Sequence, residues 1–138
     1  MKPISSIIII IVAASITLAI DPEEKKAQMM KVFMECKSTT NANDDDIAKM
    51  MMHAKPSTHE GKCMFSCVME KMGIIVDGKL NQPNMIAWAE SMGAKTSVVD
   101  TVMAECGGLS DPDPCEAATI LGLCFKTVSK KSGIDMDM

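Results

Sequence analysis

The chain has 138 residues, with 14 lysines, no arginine, 18 acidic residues and a net charge of −4. That length suits one domain, and an acidic chain with no basic stripe and no guanidinium fork is a poor match for nucleic-acid or phosphate recognition. Three phenylalanines, one tryptophan and no tyrosine stand against 15 methionines. Such a composition suits a soft core or a surface that accepts varied apolar partners equally well.

Met1-Lys2-Pro3 and the apolar run from Ile4 to Ile20 read as a secretory signal peptide over residues 1–19, with a small-residue exit at Thr17-Leu18-Ala19. A membrane span is the competing reading. The run lies at the short end of the spanning range, however, and an acidic Asp21-Pro22-Glu23-Glu24 follows it in place of a basic flank. The expectation is a secreted, extracellular domain over 20–138 with no stable membrane insertion. Loss of Lys2 makes it one charge more acidic.

Six cysteines follow the leader, at Cys36, Cys63, Cys67, Cys106, Cys115 and Cys124. An even count in a short exported chain implies three disulfides. Cys63 and Cys67 lie four apart on one helix face, with Cβ atoms roughly 5–6 Å apart. That exceeds the reach of about 3.5–4.5 Å that a mutual bond allows. Each cysteine must therefore bond a different segment, and the remaining pairings stay open.

Six helices are expected. The first starts at the Asp21 cap, with Pro22, Glu23 and Glu24 suited to its opening turn, and runs to about Lys37. Met29, Phe33 and Cys36 form its inward stripe, widened by Met30 and Met34. The second begins in Asn43-Asp44-Asp45-Asp46 and buries Ile47, Met50 and Met51. Those aspartates lack the alternating ligands, glycine and final glutamate of a calcium loop. Ser57 or Thr58 caps the third helix, His59 to Met72, which Gly73 closes. Ile74-Ile75-Val76 and Asp77-Gly78-Lys79-Leu80 have no partner strand elsewhere and read as an apolar loop folded on the core. The fourth helix begins at Asn81-Gln82-Pro83, with Met85, Trp88, Ala89 and Met92 inward. Thr96 or Ser97 caps the fifth, where Val98 or Val99, Val102, Met103 and Cys106 face in. The sixth, Cys115 to about Ser129, carries an Ala118, Leu121, Phe125 and Val128 stripe. Cys115 and Cys124 point to opposite sides of it at 100° per residue.

No catalytic constellation is legible, so the reading is not an enzyme. The two histidines, His53 and His59, sit near a helix–loop–helix junction without an assigned nucleophile. The histidine–aspartate pair and glycine-rich calcium loop of a secreted phospholipase are both missing. A zinc site at Cys63, Cys67 and the histidines would need thiolates that an oxidising compartment disfavours. No metal and no cofactor are expected. What remains is a stapled helical shell, of a kind that either binds small apolar molecules or merely fills its core.

The spacing Cys36-x26-Cys63-x3-Cys67-x38-Cys106-x8-Cys115-x8-Cys124 resembles the six-cysteine signature of insect odorant-binding proteins. Gly61 to Gly73 and Asp77-Gly78-Lys79-Leu80-Asn81 also match that family's wording. The resemblance implies an all-α, six-helix bundle around an apolar cavity, with bonds Cys36–Cys67, Cys63–Cys115 and Cys106–Cys124. It further implies a carrier of a small apolar ligand, of odorant or pheromone kind, acting as monomer or homodimer with a chemoreceptor as a further partner. A secreted structural or defence protein on the same scaffold, without a dedicated ligand, is the alternative. The family's arginine–tyrosine route to release at low pH has no residues here, and the tail lacks a long amphipathic pattern.

On the inward stripes of the third to sixth helices, Phe65, Val68, Met69, Trp88, Met92, Met103, Leu121 and Phe125 are the expected ligand-contacting wall. In the tail, Ile134, Met136 and Met138 alternate with Asp135 and Asp137. An extended tail would thus present one apolar edge, expected to lie across the cavity mouth as a partial lid.

Overall fold

The computed structural model describes residues 21–134; the expected leader over 1–19 and the tail residues Met136 and Met138 lie outside them. Six helices follow in order: α1 (Pro22–Thr40), α2 (Asp44–Met51), α3 (His59–Lys71), α4 (Gln82–Ser91), α5 (Ser97–Cys106) and α6 (Pro114–Lys131). Between α3 and α4 stand two short strands, β1 (Ile75–Val76) and β2 (Lys79–Leu80).

The caps explain most boundaries. Asp21 accepts from the Glu23 N–H and opens α1, while Asp113 accepts from the Cys115 and Glu116 N–H groups and opens α6 one residue earlier than expected. In α2 the cap is reciprocal. Asn43 accepts from the Asp46 N–H, and the Asp46 carboxylate accepts from the Asn43 N–H, so two orphan donors are satisfied at once. Thr58 caps α3 by accepting from the Gly61 N–H. Thr96, one of the two expected residues, stands at the cap position of α5 but makes no side-chain bond there.

α1 runs three residues beyond Lys37. The Thr39 and Thr40 hydroxyls donate to the Glu35 and Cys36 carbonyls one turn back and so do not compete with the helical backbone. Asn41, left-handed at φ 57°, ends the helix. The segment expected to be an apolar loop is a hairpin, with Ile75 opposite Leu80 and Val76 opposite Lys79. Its turn residues Asp77 and Gly78 both have positive φ, 52° and 74°, as a two-residue type I′ turn requires. The missing partner strand was four residues away. Ile74, Ile75 and Leu80 are buried, so the segment does fold onto the core.

α3 is the central post. The three bonds are Cys36–Cys67, Cys63–Cys115 and Cys106–Cys124, which tie α3 to α1 and α6, and α5 to α6. Two apolar clusters result. The larger gathers the hairpin with α4, α5 and α6 around Met85, Val99, Val102, Leu121 and Val128. The smaller sets Cys36 and Ala42 against Met64 and Val68 of α3.

Three methionines of α1 and α2 depart from the expected inward stripes: Met30, Met34 and Met51 are exposed. α1 and α2 each pack chiefly on α3, so a narrow stripe is all that they bury. On α2 the buried residue is Asp46, and Ile47 and Met50 are half-buried.

Candidate functional site

A cavity of about 380 Å³ opens between α1, the end of α2 and its following loop, α3, α4 and α6. α3 supplies Phe65, Val68, Met69 and Met72 to its wall, α1 supplies Met29 and Phe33, and Met50 comes from α2. Trp88 and Phe125 meet edge to face on the wall, with centroids 5.6 Å apart and planes at 67°. That arrangement suits the ring quadrupoles and joins α4 to α6.

Phe65 can sit where it does because α6 has a glycine opposite it. A Cβ on Gly122 would stand 2.4 Å from Phe65 Cζ and 2.5 Å from Cε1. The absent side chain lets α3 and α6 approach closely with the ring between them, and Cys63–Cys115 clamps the same pair of helices.

Of the eight expected wall residues, Phe65, Val68, Met69, Trp88, Met92 and Phe125 line the cavity. Met92 was expected inward but is 60% exposed; it follows the last residue of α4 and forms part of the rim. Met103 and Leu121 do not line the cavity. Leu121 is 1% exposed inside the larger core cluster, and Met103 packs against that cluster. α6 turns one face, bearing Ala118, Leu121 and Val128, toward α4 and α5. A second face bears Thr119, Gly122, Leu123 and Lys126 toward the cavity. That second set has helical spacing but mixes a threonine, a glycine and a lysine, so no apolar stripe announces it.

Met29, Phe33, Met72 and Ile74 also line the cavity, and their apolar spacing was the signal that could have named them. The polar part of the wall carried no such signal. It consists chiefly of Asp46 and Lys49 from α2, His53 and Lys55 from the loop, and Lys126 from α6. Asp46 is only 4% exposed, and its carboxylate is satisfied by the Thr58 hydroxyl at 2.7 Å and the Asn43 N–H at 3.0 Å. Lys126 Nζ donates to the His53 carbonyl at 3.0 Å, which ties α6 to the loop. His53 is exposed but also part of this wall, held at φ 52°.

His59, Cys63 and Cys115 cluster with their potential ligand atoms within 4.8 Å. Both sulfurs are spent in one disulfide, so neither offers the thiolate that a zinc ligand must be. The carboxylates held below their ordinary range lie away from the cavity wall. A hydrogen bond from Lys71, and its charge, lower Glu35; Lys37 does the same for Asp44. Among the described residues no helix is long and apolar enough to cross a membrane.

Residues 19–128 match the PBP/GOBP family. General odorant-binding protein 28a of Drosophila melanogaster is 30% identical over 138 aligned residues, 96% of each chain. General odorant-binding protein 19d of the same fly is 34% identical over 109 residues, 75% of this chain and 73% of that one. Among solved structures, odorant-binding protein dmelOBP28a from Drosophila melanogaster superposes with a TM-score of 0.70 at 31% identity. That match covers 82% of this chain and 98% of the other.

Proposed function

Since the chain belongs to the PBP/GOBP family, we propose that it is a secreted, non-catalytic carrier that takes a small apolar molecule into the cavity between α1, α3, α4 and α6. The observation that carries this reading is the cavity itself. It has about 380 Å³ of space, within the roughly 300–1,000 Å³ typical of small-molecule sites. Met69, Met72 and Met50 give the wall side chains that adapt to ligand shape, while Phe65, Trp88 and Phe125 give it rigid surface. Binding would be noncovalent and driven by burial, at about 25 cal/mol per Å² of apolar area.

Phe65, Val68, Met69, Trp88, Met92 and Phe125 are the proposed contacts. Handing the cargo to a chemoreceptor belongs to the same proposal. The test is displacement of a fluorescent apolar probe from the purified protein, followed through Trp88 emission, together with solvent extraction of any co-purified molecule. Saturable one-to-one displacement supports a carrier. A folded protein that binds no apolar probe and yields no extract is the scaffold without a ligand.

A further inference from the structure

The three disulfides do not meet solvent alike. Cys36 and Cys106 are 0% exposed, and each is bonded to a half-buried partner, Cys67 and Cys124. In Cys63–Cys115 both residues are only half-buried. The difference matters for thiol–disulfide exchange, in which a thiolate attacks one sulfur and the other leaves as a thiolate. At the first two bonds, attack on the reachable sulfur would expel a thiolate at a fully buried position, where apolar surroundings disfavour the charge. Packing blocks attack on the buried sulfur itself. Cys63–Cys115 carries neither obstacle.

That bond also has a proton donor beside it. His59, one turn before Cys63 on α3, sets Nε2 3.5 Å from Cys63 Sγ. Asp113, the cap of α6, stands 4.0 Å from the ring's other nitrogen, Nδ1. Lys62 and Glu116 cross the same junction but pair with each other at 2.6 Å. We propose that Cys63–Cys115 is a modification site for a small thiol such as glutathione, and that its opening frees the cargo; the second part rests on the carrier reading above. The incoming thiolate attacks Cys115 Sγ and forms a mixed disulfide there. The S–S electron pair leaves on Cys63 Sγ, which takes the Nε2 proton of the His59 imidazolium. A second thiolate attacks the sulfur of the bound small thiol, and the Cys115 thiolate departs and takes a proton from water. In sum, two small thiols are oxidised to one disulfide and the protein disulfide is reduced to two thiols. α3 loses its staple to α6 while Cys36–Cys67 and Cys106–Cys124 persist. Phe65 and Met69 of α3 face the cavity with Gly122 and Phe125 of α6, so parting these helices opens the wall.

The test exposes the purified protein to reduced glutathione at neutral pH, traps free thiols by alkylation at increasing times, and assigns each opened bond by peptide mass mapping. Cys63–Cys115 should open first, several-fold faster than the other two bonds. His59→Gln should slow that opening several-fold, with the other two bonds and the thermal midpoint unchanged, since the His59 side chain is 62% exposed. Release of a fluorescent apolar probe, followed on the same samples, should quicken as Cys63–Cys115 opens. Opening of another bond first overturns the site, and a rate indifferent to His59→Gln overturns the proton donor; both results leave the carrier reading standing. Probe release that ignores an opened Cys63–Cys115 overturns its control of the cargo. A protein that binds no probe before reduction overturns the carrier reading and that control together, and the bond mapping then decides the modification site alone.

Discussion

Replacing Gly122 with alanine separates two effects of opposite sign. In an ordinary helix interior the change should stabilise, by about 1 kcal/mol of backbone propensity. Here the added Cβ would lie 2.4 Å from Phe65 Cζ, and ordinary contact begins near 3.4 Å, so the ring must retreat by about that 1 Å difference. Overpacking of this kind costs about 1–3 kcal/mol when a close-packed core resists. Phe65 borders open space, and the atoms struck are the far end of its ring, so the cost should fall in the lower half of that range. The net expectation is stability between unchanged and about 1 kcal/mol lower, with the ring pushed into the cavity and ligand affinity reduced several-fold. Chemical denaturation and probe displacement on the same preparation read the two quantities. A variant about 1 kcal/mol more stable with unchanged affinity would refute the close approach of α3 and α6 at this glycine.

Phe125→Ala should remove the edge contact to Trp88 and shift its emission toward the red. Because Phe125 is only half-buried, the stability cost should fall below the roughly 3–5 kcal/mol of a fully buried ring, while affinity drops more than for Met103→Ala. Asp46→Ala should leave the Asn43 cap in place but take the acceptor from both the Asn43 N–H and the Thr58 hydroxyl, a loss of about 1–3 kcal/mol that urea unfolding measures. Selective loss of Cys63–Cys115 should cost more stability than loss of Cys106–Cys124, about 4 against 3 kcal/mol for loops closed over 52 and 18 residues; paired serine variants compare them. Glu35 and Asp44 titrate below their ordinary range because of Lys71 and Lys37. The stability they add is therefore present above the unfolded carboxylate value and lost as pH falls through the lower folded one. The joint Glu35→Gln and Asp44→Asn variant should flatten the acid limb of the unfolding midpoint slightly and change nothing near neutrality, since both pairs are exposed and screened.

Much of this protein is set by local chemistry that any reader of the chain can follow. Capping residues and prolines at first helical positions place all six helix starts within a residue or two, because those choices depend on neighbours a few positions away. Cys63 and Cys67 exclude each other for the same reason: a helix fixes their separation wherever it sits. The family's cysteine spacing implied the three pairings, and the folded chain has them. Yet the Asp77-Gly78 turn shows that even a local signal can be passed over when the strands beside it are two residues long.

What only the tertiary structure decided is which buried face borders empty space. Leu121 and Phe125 share one stripe of α6, but Leu121 belongs to the buried cluster of Met85, Val99 and Val102, while Phe125 stands at the cavity with Trp88. Periodicity reports that a side chain turns inward; it holds no information on whether a neighbour arrives to fill the volume. That depends on how closely α3 and α6 approach at Gly122, and on where the loop after α2 brings His53 to meet Lys126. Residues far apart in the chain make the cavity by what they leave unfilled, and an absence of packing has no local code.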